Sequence, residues 1–440
     1  MVSGDGEDRV IGLVAGGIAL AVWLVLVFGR HGFWLTAERD TRGLPSEPAQ
    51  WPTVTAVVPA RDEAEVIARS IGSLVAQEYP GDFRIILVDD NSSDGTAEIA
   101  QNIAFSSPSP SGVLPQSRPP DGTEGNRTGT GVGAVSLTES ALGDSPHPNP
   151  SPEGEGLKQL NRLTILSGQP LAPGWTGKLW AVSQGIAAAG ETPDYLWLTD
   201  ADIAHAPDTL RTLVTRAVGD RRVLVTLMAR LRCESLAERS LIPAFVWFFQ
   251  MLYPFGAVNA AKGVGAAAGG CMLAERAAME RAGGIAAIRN ALIDDCAFGA
   301  IMKRQGRVWL GLTDRSVSIR DYDSWGSVAA MISRSAYAQL GYSVLALFGT
   351  ILGLALIYLG PVLLTLFGEG YARWLGLGAW ALMAIAFQPM LRFYHRSPLW
   401  GVALPGIALF YAGCTFASAW AYWRGRGGMW KGRAQAALGA

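Results

Sequence analysis

Cysteine is scarce: Cys233, Cys271, Cys296 and Cys414 are the only four in 440 residues, and their spacing suits neither a metal knuckle nor a CxxC pair. Such scatter argues against a disulfide scaffold and for ordinary core thiols in a reduced, cytosol-facing domain. Histidine is equally thin. His31, His147, His205 and His395 are dispersed, which argues against zinc, because a zinc site draws on clustered His and Cys. Charge of one sign is also missing. A formal net charge of -1, with no interleaving of basic and aromatic residues in the soluble part, gives no drive toward nucleic acid. The pair Gly177-Lys178 lacks both ends of GxxxxGK[ST], which removes most of the case for an ATPase.

Hydrophobic residues are plentiful, at 50% with 15 tryptophans, and they are concentrated near the termini. Val10 to Phe28 is almost wholly apolar, close to the roughly 20 residues that cross a bilayer. Asp5, Glu7 and Asp8 precede it, Arg30, His31, Arg39 and Arg42 follow, and no small-residue cleavage box is present. The expectation is an uncleaved anchor over 1–30, with the N-terminus outside and the chain after it in the cytoplasm. A second apolar region, 341–423, is interrupted at Glu369 and Arg373 and again at Arg392, His395 and Arg396, giving segments 342–367, 374–391 and 399–423. Four spans in all are expected. The basic tail, 424–440, argues for a cytoplasmic end, whereas three crossings after a cytosolic domain leave it outside; the parity stays open. The aromatic tract Leu241 to Val258, bracketed by Pro243 and Pro254, is expected to lie on or lead to the membrane surface, with a buried core helix as the alternative.

The soluble part, 51–335, alternates strand and helix. Apolar runs at 53–59, 84–88 and 195–199 read as buried parallel strands, and helices are expected over 63–77, 95–104, 208–218 and 295–304. The fold class is α/β, with a mostly parallel sheet. Residues 106–158 are rich in Pro, Gly and Ser and poor in large apolar residues, and read as a mobile surface insertion without chemistry. The glycine-rich Gly263 to Gly270 reads as a loop whose missing side chains let backbone approach a substrate.

Acidic groups stand at the ends of three of these runs: Asp62-Glu63, Asp89-Asp90 and Asp200-Ala201-Asp202. In open α/β sheets ligands collect beyond the carboxyl ends of the strands. Asp200 and Asp202 together offer two hard oxygen ligands, which suits Mg²⁺ or Mn²⁺ beside diphosphate oxygens. Asp89, with Asp90, Asp62 and Glu63, fits hydrogen bonding to ribose hydroxyls or a base edge, while Asp94 reads as a helix cap. Lys178, before a helix, is a candidate for phosphate neutralisation, a solvated lysine being the plain alternative. Asp295, with Asp294 beside it, is the candidate base toward an acceptor hydroxyl; N-terminal helix capping is the alternative for the pair.

These stretches carry a resemblance. Val57-Val58-Pro59-Ala60-Arg61-Asp62-Glu63, Val88 to Thr96, Gly177 to Ala181, Asp200-Ala201-Asp202 and Asp294-Asp295 resemble the family 2 glycosyltransferases, which have a GT-A nucleotide-sugar-binding fold. Gly269 to Leu273, Leu292 to Gly299 and the final membrane segments look more narrowly like the hopene-associated glycosyltransferase (HpnB) group. The resemblance implies that Asp89 contacts nucleotide, Asp200 lies near donor phosphate or sugar, Asp202 binds the cation and Asp295 is the base. Processive members carry Gln-x-x-Arg-Trp beyond the base. Here Met331 to Ser335 keeps only Arg334, so a diphosphate contact remains implied and processive synthesis becomes doubtful. The implied protein is a multi-pass enzyme of the bacterial inner membrane with its catalytic domain facing the cytoplasm. It would move a sugar, with inversion, from a nucleotide-sugar to a lipid acceptor in the bilayer, by means of Mg²⁺ or Mn²⁺ and without nucleic acid.

Overall fold

The structure, a computed structural model, describes residues 4–105, 162–427, 429–430 and 433–434. The expected insertion at 106–158 lies outside the described residues, as does most of the tail after 427. Among the described residues one eight-stranded sheet is built from β1 (Val54–Ala60), β2 (Phe83–Asp89), β3 (Leu163–Ser167), β4 (Tyr195–Leu198), β5 (Ile203–His205), β6 (Arg222–Arg230), β7 (Met272–Glu275) and β8 (Arg307–Ser318). Their spatial order is β3-β2-β1-β4-β7-β6-β8-β5. The pairs β3–β2, β2–β1, β1–β4 and β6–β8 are parallel, while β7 and β5 run antiparallel to their neighbours. This mixed, mostly parallel sheet is of the GT-A type.

Every residue of β1 is buried because helices cover both of its faces, which is why the run is apolar without alternation. Helix Ala64–Val75 turns Ile67, Ile71 and Leu74 inward at helical spacing. Asp94 ties its start to the next helix: one carboxylate oxygen accepts from the Ala64 amide at 2.9 Å and the other from the Thr96 amide at 3.1 Å. Helix Gly177–Ala188 packs closely on β1 because Gly185 has no side chain; a Cβ there would lie 2.4 Å from a Val57 methyl.

The tract 241–258 is divided between helix Leu236–Leu252, started by a capping box of Ser235 and Glu238 and with Pro243 inside it, and helix Phe255–Asn259. Trp247 is fully buried, with ring centroids 6.1 Å from Trp23, 5.2 Å from Phe33 and 5.6 Å from Phe387. The Trp247 ring is thus covered by the N-terminal helix, by Phe33 and by helix Gly370–Phe393, and helix Leu236–Leu252 joins the sheet to the apolar helices. Among the described residues four helices are long and apolar enough to cross a membrane: Arg9–Gly29, Val344–Phe367, Gly370–Phe393 and Leu404–Trp423.

Candidate functional site

Register places the acidic strand ends side by side. Ala60 pairs with Asp89 and Val57 with Leu198, so the turns after β1, β2 and β4 emerge along one edge of the sheet. Three charge clusters form there.

The first is centred on Lys178, in the first turn of helix Gly177–Ala188. Its amine donates to Asp200 at 2.8 Å and to Asp294 at 3.0 Å. The solvated alternative for this lysine is therefore corrected: it is mostly buried, held where strand end and helix start meet. Burial alone would favour loss of its proton, but the two carboxylates outweigh that and raise its pKa. Asp200 is raised by burial, with Asp202 and Asp294 adding and Lys178 opposing. Asp295 accepts from the Gly269 amide at 3.0 Å and the Cys296 amide at 2.7 Å. Ile293 holds the cap position of helix Asp294–Lys303, while Asp295, in the first turn, takes up the Cys296 amide, so the helix-start alternative is met in part by Asp295. Burial, then the charge of Asp294, pushes Asp295 up to about 6, while Lys178 and the two amides pull the other way. Gly269 brings its backbone against this cluster: a Cβ on it would touch the Asp295 carboxylate at 3.5 Å and the Lys178 amine at 3.6 Å, ordinary contact distances. A cavity of about 20 Å³ at this cluster, lined by Lys178, Asp200, Gly269 and Asp294 together with Leu179 and Phe298, has room for about one water molecule. A larger ligand must lie over the open edge.

The second cluster surrounds Arg320, a residue that motif reading missed. Its Nε donates to Asp202 at 2.7 Å, and its Nη2 donates to both oxygens of Glu63 at 2.6 and 2.7 Å. The pairing follows from topology. β5 runs antiparallel to β8 with Ile203 opposite Ser318, and the Ile319 amide donates to the Asp202 carbonyl at 2.9 Å. A basic residue ending the alternating Ser316-Val317-Ser318-Ile319 was the one signal available.

The third cluster holds the ends of β1 and β2. Ser92 donates through its hydroxyl and its amide to Asp89, which is buried. Arg61 approaches the Asp90 carboxylate at 3.5 Å, and Asp62 accepts from the Ser93 amide at 2.9 Å. Asp62 adopts a left-handed φ of 50°, which a short polar side chain tolerates in a tight turn. Glu63, expected with this group, instead faces Arg320. Arg334 holds the C-terminal cap position of helix Trp325–Ser333 and is exposed; it makes no ion pair among the described residues, but its charge, like those of Asp202 and Arg320, acts on Tyr322. Under His205, a buried chain runs from Thr199 (2.9 Å) to Ser316 (2.9 Å), and burial lowers the imidazole pKa to about 3, so it is neutral support for the turn that carries Asp200.

The sequence pattern of glycosyl transferase family 21 matches residues 164–435. The chain belongs to that family. The pattern of glycosyl transferase family 2 matches residues 55–127, the segment with the Asp62-Glu63 and Asp89-Asp90 turns. This glycosyltransferase is 30% identical over 90 residues to "Probable glycosyltransferase YdaM" of Bacillus subtilis (strain 168), a match that covers 19% of this chain and about a fifth, 21%, of that relative. Among solved structures it is similar to the mannosyltransferase PcManGT of Pyrobaculum calidifontis, in complex with GDP-Man and Mn²⁺. The TM-score is 0.51 and the identity 17%, with 94% of this chain and 99% of that chain covered, which supports the shared fold.

Proposed function

We propose that this glycosyltransferase moves a sugar from a nucleotide-sugar donor to a hydroxyl of a membrane lipid, with inversion, and that the acceptor is a hopanoid. The observation that carries this is Lys178, whose one amine holds Asp200 on the donor side and Asp294 next to the acceptor-side Asp295 within 3.0 Å. Donor and acceptor halves of a transfer thus share a charge centre.

Asp295 is the base. Its oxygens are oriented by the Gly269 and Cys296 amides, and a pKa near 6 lets it take the hydroxyl proton near neutral pH. Its ionised form meets the acceptor as that oxygen attacks the anomeric carbon. Asp89, Asp90 and Asp62 line the edge proposed for the nucleoside, and Arg334 is exposed for the diphosphate. Among the described residues Asp200 and Asp294 pair with Lys178, and Asp202 and Glu63 with Arg320, with Asp295 beside them, so a diphosphate would meet surplus negative charge. That surplus and the hard oxygen donors fit Mg²⁺ or Mn²⁺ at Asp202 and Asp200. When bound, the cation would offset charge on the leaving nucleoside diphosphate. The reading agrees with the GDP-Man and Mn²⁺ named for the Pyrobaculum mannosyltransferase.

The membrane half of the proposal rests on the four apolar helices, with 51–335 as the catalytic unit, 1–30 and 341–423 in the bilayer and 424–440 at its boundary. Arg30, Arg39 and Arg42 after the first helix favour the cytoplasmic face of a bacterial inner membrane. The hopanoid acceptor rests on the likeness of Gly269 to Leu273 and Leu292 to Gly299 to the hopene-associated group. The test is a panel of nucleotide-sugars incubated with purified enzyme and lipid extracts, read by mass spectrometry. Sugar on a hydroxylated polycyclic lipid is expected. Sugar on ceramide, diacylglycerol, a carotenoid or a polyprenyl phosphate would change the acceptor class, long glycans would make the enzyme processive, and no UDP or GDP binding with Mn²⁺ would end the catalytic reading.

A further inference from the structure

The helix Asp294–Lys303 has two charged ends. Its first turn carries the proposed base; its last turn carries Lys303, roughly 12 Å away at about 1.5 Å per residue. The Lys303 amine donates to the Val258 and Ala260 carbonyls, the latter at 2.6 Å. Beside it Lys262 and Arg304 border an open cavity of about 400 Å³ whose wall includes Gly263 and Gly265, and no carboxylate lines it. Arg222 and Arg307 stand near enough to Lys303 for their charges to act on it. Burial, then these two arginines, lowers the pKa of Lys303, and burial with Arg307 lowers that of Arg222.

None of Arg222, Lys262, Lys303, Arg304 and Arg307 makes an ion pair among the described residues. The carboxylates facing the group, Glu38 and Asp220, lie toward Arg222, and Glu38 already accepts from Asn259 at 2.9 Å. Five cations thus stand near one another without an ion pair among the described residues, Lys303 and Arg222 partly out of water and Lys262, Arg304 and Arg307 exposed.

The location supplies the second observation. Arg30, directly after the apolar helix Arg9–Gly29, donates to the Met251 and Leu252 carbonyls at 2.6 and 3.2 Å. Gly256 sits so near His31 that a Cβ on it would lie 3.1 Å from the His31 carbonyl oxygen. The segment that reaches the cavity therefore begins where the first candidate membrane helix ends. Val264, between Gly263 and Gly265 of the cavity wall, is 45% exposed, and Leu252, whose carbonyl accepts from Arg30, is 47% exposed.

We propose that this cavity binds the phosphate of an anionic phospholipid headgroup. Basic groups immediately beside a membrane helix are drawn to an anionic leaflet, and exposed Leu and Val beside them enter the boundary between headgroups and acyl chains. A phosphodiester relieves the mutual repulsion of the five cations, and the exposed Lys262 and Arg304 can close on it. An anion is not held here by the helix itself, whose carboxyl end repels negative charge, so the side chains must do the binding. The site rests on the membrane reading alone and is independent of sugar transfer.

The test compares full-length protein with the double variant K262Q/R304Q, whose side chains are exposed and whose loss leaves the Lys303 bonds intact. Native mass spectrometry in detergent measures binding of short-chain phosphatidylglycerol and phosphatidylcholine, and thermal melting checks the fold. The wild type is expected to prefer phosphatidylglycerol by about tenfold, and the variant to lose most of that preference. Raised salt should weaken phosphatidylglycerol binding to the wild type, a readout that needs no variant. Equal binding of the two lipids, or an unchanged preference in a folded variant, overturns the site. Displacement of the lipid by inorganic phosphate at low millimolar concentration also overturns it, in favour of a soluble anion. Sugar-transfer activity does not enter these outcomes, so failure of the catalytic reading leaves them interpretable.

Discussion

Arg320 donates through Nε to the Asp202 carboxylate at 2.7 Å while its Nη2 grips both oxygens of Glu63. A divalent ion at Asp202 must compete with this guanidinium, whose own pKa is raised: burial opposes its charge, but Asp202 and Glu63 more than compensate. R320A is therefore expected to bind Mn²⁺ about tenfold more tightly in the absence of nucleotide, measured by electron paramagnetic resonance. The same variant should melt earlier, because buried Glu63 loses its charged partner, a loss of about 1–3 kcal/mol. Unchanged Mn²⁺ affinity would remove Asp202 from the cation site.

Asp295 gives a pH dependence of definite sign. Its folded pKa of about 6 lies above the ordinary value of 3.8, so the native state holds a proton that the unfolded chain has released between those two limits. Stability from this group is full below about pH 4 and falls as pH rises through 6. Activity runs oppositely, since the base must be ionised. Transfer is expected to fall on acidification with a midpoint near 6, and D295N to abolish transfer while flattening the pH dependence of the melting temperature between pH 4 and 7. A flat wild-type rate over pH 5–7 would take the base role from Asp295.

The legible part of the molecule is the part governed by local pattern. β1, β2 and β4 are continuous apolar runs because both sheet faces are covered, and their acidic ends therefore stand out along the chain. Pairings made by distant segments leave no such trace. Lys178 meets Asp294 across more than a hundred residues, and Arg320 meets Asp202 only because a three-residue strand, β5, pairs antiparallel with β8. Helix Leu236–Leu252 shows the same limit: an aromatic run looks alike whether lipid or protein covers it, and the residues that cover Trp247, namely Trp23, Phe33 and Phe387, come from distant segments.

Lys178 lowers the pKa of Asp295 while bridging Asp200 and Asp294. Removing its charge in K178A leaves the neighbouring carboxylates to repel one another. The acid limb of the residual rate should then move to higher pH, and donor nucleotide affinity should drop by about tenfold or more in a calorimetric titration. K178R should restore part of the affinity, as it keeps the charge but not the compact shape. An acid limb that stays in place would mean that Lys178 and Asp295 are not electrostatically linked in the working enzyme.

Gln339 donates to the Tyr253 hydroxyl at 2.7 Å, and that hydroxyl also bonds the Cys296 thiol, one residue from Asp295. Tyr253 follows the internal aromatic helix, and Gln339 ends the short helix Ala336–Gln339, whose neighbour Tyr337 donates its amide to Ser418 in helix Leu404–Trp423 at 3.1 Å. The pair thus connects the first turn of the base-bearing helix to the apolar helices, on the side from which a lipid hydroxyl would arrive. Y253F is expected to raise the acceptor KM by about tenfold while donor affinity and the slow hydrolysis of donor by water stay unchanged; Q339A should act in the same direction but less. A fall in kcat at constant acceptor KM would instead place the tyrosine in the chemical step. Wild-type values for both constants would reduce the pair to packing and leave acceptor selection to other walls of the site.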